Sequence, residues 1–74
     1  MIAAKLRQLR TEAGLTQRGL AVRADVTVNT VSELERGEND NPELKTLVAL
    51  AAALGVPVGA LFEEPAPANG GIES

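Results

Sequence analysis

Between two short runs of helical apolar periodicity, QRGLAVR and TVNTVSELER, the chain has only Ala24, Asp25 and Val26. Three residues are too few to fold two helices back against each other as an antiparallel pair. They do suit a sharp crossing of two short helices. Each residue type at this corner has a physical job: Ala21 lets the helices approach closely, Asp25 tolerates positive φ, and Val26 anchors the turn in the core. The corner is a helix-turn-helix, and the rest of the chain must pack around it.

The flanking segments have the same helical character. Ile2, Leu6 and Leu9 recur at helical spacing with bases between them, so residues 2–13 are expected to form an amphipathic helix stopped by Gly14. Thr16 caps the second helix, which runs from Gln17 to about Arg23 with Leu20 and Ala21 inward. Thr27 opens the third, burying Val31 and Leu34 and ending at Gly37. Pro42 is suited to the first turn of a fourth helix, in which Leu44, Leu47, Val48, Ala51 and Leu54 form the centre of the core. Gly55 ends it, Pro57 permits another start, and Leu61 with Phe62 close the domain over a short fifth helix. The expected architecture is an all-α, compact five-helix domain over residues 1–62, followed by an acidic, Pro/Gly-rich flexible tail, residues 63–74.

Composition narrows the chemistry. The 74 residues include no cysteine and no histidine, so disulfides, thiolate chemistry and the common zinc-ligand sets are excluded. Phe62 is the sole aromatic residue, and the core must be built from aliphatic helix formers. No cofactor or metal is expected. The carboxylates are scattered over helices and a loop with no convergent site, which makes an enzyme the poorest reading. No apolar run reaches membrane-span length and no signal peptide is visible, so a cytoplasmic location is expected.

The net charge of -3 conceals an asymmetry. Residues 1–36 carry six bases and four acids, net +2, whereas residues 37–62 are net -2 and the remaining three acids lie beyond Phe62. The acidic balance therefore comes from the C-terminal part of the chain, while the N-terminal half is mildly basic.

LRQLRTEAGLTQRGLA, VTVNTVSELERG and LVALAAALGVPVGALF, in this order and spacing, resemble the phage Cro and repressor type of helix-turn-helix proteins, also called the xenobiotic response element family. The resemblance covers residues 2–62. It implies a sequence-specific, DNA-binding transcriptional regulator, most simply a repressor that binds a near-palindromic operator as a dimer. The third helix would lie in the major groove. Val28, Asn29, Ser32 and Glu33 are then the base-reading face. Asn29 has an amide suited to adenine N6 and N7, and Val28 a surface for a thymine methyl. Glu33 either accepts from cytosine N4 or repels phosphate.

The resemblance further implies phosphate contacts from Gln17 and Thr27 at two helix starts, with Arg18 beside them a better candidate than Arg23. It pairs Glu35 with Arg10 as a structural ion pair. It also sets the loop after the third helix against the DNA backbone, where relatives often carry Lys or Arg. Here that loop carries Glu38, Asp40 and Glu43, which leaves Arg36 and the amides of Asn39 and Asn41 to meet phosphate. Val56, Pro57 and Val58 fall in the segment that forms a two-fold contact in the resembled proteins. The competing reading is a protein-interaction module, such as an antitoxin or an anti-repressor partner, whose acidic loop or tail meets a basic surface.

Overall fold

The computed structural model describes residues 2–64 and contains four α-helices and a terminal 3-10 turn. Helix α1 spans Ile2–Glu12, α2 Gln17–Ala24, α3 Val28–Glu35 and α4 Leu44–Leu54, and the 3-10 turn spans Val58–Phe62. No strand occurs among the described residues. Beyond Glu63 and Glu64, the expected tail lies outside them.

Short polar caps and left-handed residues divide the chain into these pieces. The Thr16 hydroxyl accepts from the Gly19 amide at 2.9 Å, and that of Thr27 from the Thr30 amide at 3.1 Å, so each of α2 and α3 starts with one otherwise orphaned amide satisfied. At the end of α2, Asp25 adopts φ 60 and ψ 44, and it is the one non-glycine described residue in the left-handed region. Its turn is held on both sides: the Asp25 amide donates to Val22 O at 3.2 Å and the Val26 amide to Ala21 O at 3.0 Å.

The core is aliphatic. Leu6 of α1, Leu20 and Ala21 of α2, Val31 and Leu34 of α3, Leu47, Leu50 and Ala51 of α4, and Leu61 meet in one cluster, with Val26 packed against its edge. Helix α2 packs on α3 and α4, α1 packs on α3, and the terminal turn closes against α1 and α4.

Four expectations change. The fifth helix is a 3-10 turn of five residues, in which the Ala60 amide reaches Pro57 O at 2.9 Å. Gly59 at its middle and a length of little more than one turn favour the tighter i to i+3 bonding. Phe62 is 54% exposed instead of closing the core, a role that falls to fully buried Leu61. In α4 the inward stripe is Leu47, Leu50, Ala51 and Leu54, at helical spacing i, i+3, i+4 and i+7, which turns Leu44 and Val48 out to 69% and 47% exposure. Leu50, absent from the sequence expectation, is fully buried at the centre. Pro42 precedes the capping residue Glu43 rather than occupying the first helical turn.

Candidate nucleic-acid interface

Helix α3 presents two distinct faces. Val31, Leu34 and Glu35 are buried, whereas Val28, Asn29 and Glu33 are exposed and Ser32 is half-buried. Asn29 and Glu33 are one helical turn apart, as are Val28 and Ser32, so the four form a continuous outward strip. At its start, the amides of the first turn project from the helix without intrahelical acceptors, apart from that of Thr30, taken by the Thr27 hydroxyl. Thr27 and Thr30 hydroxyls also share a hydrogen bond at 2.9 Å. The Thr27 side chain is thus engaged in the cap.

The other face of α3 is fastened by a buried polar cluster. The fully buried Glu35 carboxylate accepts from Arg10 Nε through Oε2 at 2.7 Å and from Arg10 Nη2 through Oε1 at 3.1 Å. Arg10 Nη1 donates to Leu15 O at 2.8 Å, within the link between α1 and α2. Oε1 of Glu35 also accepts from Gln17 Nε2 at 3.1 Å, and Arg7 Nε lies 3.9 Å from the same oxygen. One carboxylate therefore ties together α1, the start of α2 and the end of α3. Its charge is desolvated but fully paired, the condition under which a buried acid is tolerated.

The remaining sequence candidates have separate surroundings. Arg18 is exposed beside Gln17. Arg36 Nη2 lies 3.1 Å from Glu38 Oε1, an exposed pair, so its positive charge is partly offset within the loop. The Asn39 side-chain oxygen accepts from the Asn41 amide at 3.0 Å, which folds the loop into a local turn and leaves the Asn41 side chain outward. Val56 and Val58 are partly buried against the core while Pro57 between them is exposed.

Sequence reasoning did not find the bond from Gln17 to Glu35 or the approach of Arg7 to the same oxygen. The Arg7 signal was present, since Arg7 and Arg10 are three residues apart and share a face of α1. Gln17 gave no such signal, because its partner is 18 residues away.

The crossing of α2 on α3 with an outward polar strip defines a helix-turn-helix domain, and a helix-turn-helix family model (HTH_3) matches residues 6–61. The chain belongs to this family, the Cro/repressor type that its motifs resemble. Among curated relatives, the HTH-type transcriptional regulator DdrOP3 of Deinococcus deserti is 44% identical over 59 residues, which cover 80% of this chain and 45% of that protein. The immunity repressor protein of Bacillus phage phi105 is 36% identical over 63 residues, covering 85% of this chain and 43% of the repressor. The chain thus spans less than half the length of these two relatives. Among solved structures, the crystal structure of SinR, the master regulator for biofilm formation, in complex with DNA superimposes with a TM-score of 0.81 at 33% identity, covering 85% of this chain and all of that one.

Proposed function

We propose that this chain is a sequence-specific DNA-binding transcriptional regulator, a repressor acting in the cytoplasm that inserts α3 into the major groove. The observation that carries the proposal is the division of α3, with Val28, Asn29 and Glu33 free in solvent while Glu35 anchors the opposite face to α1 and α2. A reading helix must be rigid on one side and bare on the other, because base edges discriminate only against side chains held in register. The names of the relatives, a transcriptional regulator and an immunity repressor, support the same reading, as does the likeness to SinR on DNA.

In this arrangement Asn29 pairs with adenine, Val28 packs on a thymine methyl, and Ser32 and Glu33 read the neighbouring positions. Gln17, Arg18, Thr27, Arg36, Asn39 and Asn41 contact phosphates. Gln17 keeps its carbonyl oxygen and second amide hydrogen after the bond to Glu35, and donates outward with the latter. Val56, Pro57 and Val58 form a two-fold contact that sets two reading helices about 34 Å apart on a near-palindromic operator. Selection of genomic fragments on the immobilised chain, followed by footprinting, tests the proposal. The expected outcome is an enriched two-fold sequence that wild type protects and Asn29→Ala does not. Failure to retain any duplex at low salt overturns it.

A protein-interaction module is the second reading, favoured by the pairing of Arg36 with Glu38 in the acidic loop. Its signature is activity that survives the joint change Gln17→Ala and Asn29→Ala, together with co-purification of a basic partner.

A further inference from the structure

The cations free to neutralise phosphate are fewer than the sequence count. Arg36 is paired with Glu38 at 3.1 Å, and Lys45 lies 3.8 Å from Glu43. The Arg10 side chain is only 13% exposed, and each of its three nitrogens is engaged, two with Glu35 and one with Leu15 O. Arg7 stands apart. Its side chain is 66% exposed, and its Nε is 3.9 Å from Glu35 Oε1, beyond hydrogen-bond length yet inside the field of the carboxylate. Arg10 already balances the charge of Glu35, so the positive charge of Arg7 is the surplus of the cluster.

Position makes that surplus useful. The Glu35 oxygen nearest Arg7 is the one that accepts from Gln17, the first residue of α2, so Arg7 emerges at the surface beside the start of the helix-turn-helix. Arg7 makes no hydrogen bond to an acid that Arg10 already neutralises, so little is lost when its exposed guanidinium turns towards another anion. Guanidinium also offers two parallel donors that match phosphate oxygens.

We propose that Arg7 is a phosphate-binding residue of the DNA interface, delivered by α1 and held beside Gln17 by Glu35, supplying a charge contact that the acidic loop 38–43 does not. The inference rests on the DNA-binding reading above. It moves part of the electrostatic footprint from the loop after α3 to the outer face of α1.

The test compares wild type, Arg7→Gln and Arg7→Lys by fluorescence anisotropy on the selected duplex and on an unrelated one, over 50 to about 200 mM salt. Loss of one phosphate contact should flatten the slope of log K against log salt by about 0.9, which is about an eightfold loss of affinity at 0.1 M salt relative to an unchanged 1 M intercept. The loss in Arg7→Gln should be equal on both duplexes, since a phosphate carries no sequence information, and Arg7→Lys should restore most of the slope. All three chains should melt within about 4 °C of one another. If wild type binds and Arg7→Gln keeps its slope, or melts well below wild type, the role of Arg7 falls while the DNA reading stands. If wild type binds no duplex, both fall.

Discussion

Replacing Glu35 by Ala should bring the domain close to unfolding. The carboxylate is fully buried and accepts three hydrogen bonds, two from Arg10 and one from Gln17. Its removal leaves Arg10 Nε and Nη2 without acceptors in a site that is mostly closed to water, and the Arg10 charge is then sustained only by Leu15 O. Breaking one side of a buried pair costs about 3 to 5 kcal/mol, whereas a 74-residue chain has about 4 to 11 kcal/mol of stability in total. At about 4 to 8 °C per kcal/mol for a domain of this size, the melting temperature should fall by more than about 10 °C. Thermal and urea unfolding followed by circular dichroism measure both quantities. The double variant Arg10→Met and Glu35→Leu should recover much of the loss, because the penalty comes from an orphaned charge and not from the worth of the pair. A Glu35→Ala variant within about 1 kcal/mol of wild type, or a double variant no better than the single, would refute this reasoning.

Leu50→Ala should cost about 2 to 5 kcal/mol in urea unfolding, while Phe62→Ala, at a half-exposed position, should cost clearly less than the 3 to about 5 typical of a buried Phe. Asp25→Gly should be neutral or stabilising by up to about 1 kcal/mol and Asp25→Val destabilising by about 1 to 2, since φ 60 strains a side chain with a branched Cβ most; chemical denaturation separates the two. Asn29→Ala should leave the melting temperature unchanged and lower discrimination at one base position by about 1 to 3 kcal/mol, measured by competition with single-substituted duplexes.

The parts of the fold legible in the sequence are those set by local chemistry. Thr16, Asp25, Val26, Thr27 and Gly37 act over a few residues of chain, so caps and turns could be placed directly from residue type. The inward stripe of α4 was less legible, because a segment as apolar as LVALAAALG offers almost any face to the core, and only contact with α2 and the terminal turn selects Leu50 over Val48. Phe62 misled for a related reason. Large aromatic residues are usually drawn inward, but one helix position separates it from Leu61, and only one of the two can face the cluster. At the candidate interface, the outward strip of α3 was implied by the family resemblance, with Val31 and Leu34 placed inward by helical spacing. Gln17 and Arg7 could not be assigned to Glu35 in this way, since their proximity depends on how α1, α2 and α3 converge.

The acidity of the loop after α3 bears directly on what kind of regulator the proposal describes. Glu38 lies beside Arg36 and Glu43 within reach of Lys45, so the positive charge of the segment from 36 to 45 is partly offset. Non-specific affinity is built almost wholly from phosphate neutralisation, while discrimination depends on base edges. Under the proposed function, a loop poor in cations depresses binding to all sequences alike and leaves the strip formed by Val28, Asn29, Ser32 and Glu33 to decide between them. A chain built this way trades total affinity for a smaller non-specific background. Two half-sites engaged together can restore the affinity through effective concentration without restoring the background, since only a correctly spaced pair benefits. On this logic the acids, far from contradicting a DNA-binding role, favour a dimer in which each domain alone binds weakly and the spacing of two reading helices carries part of the specificity.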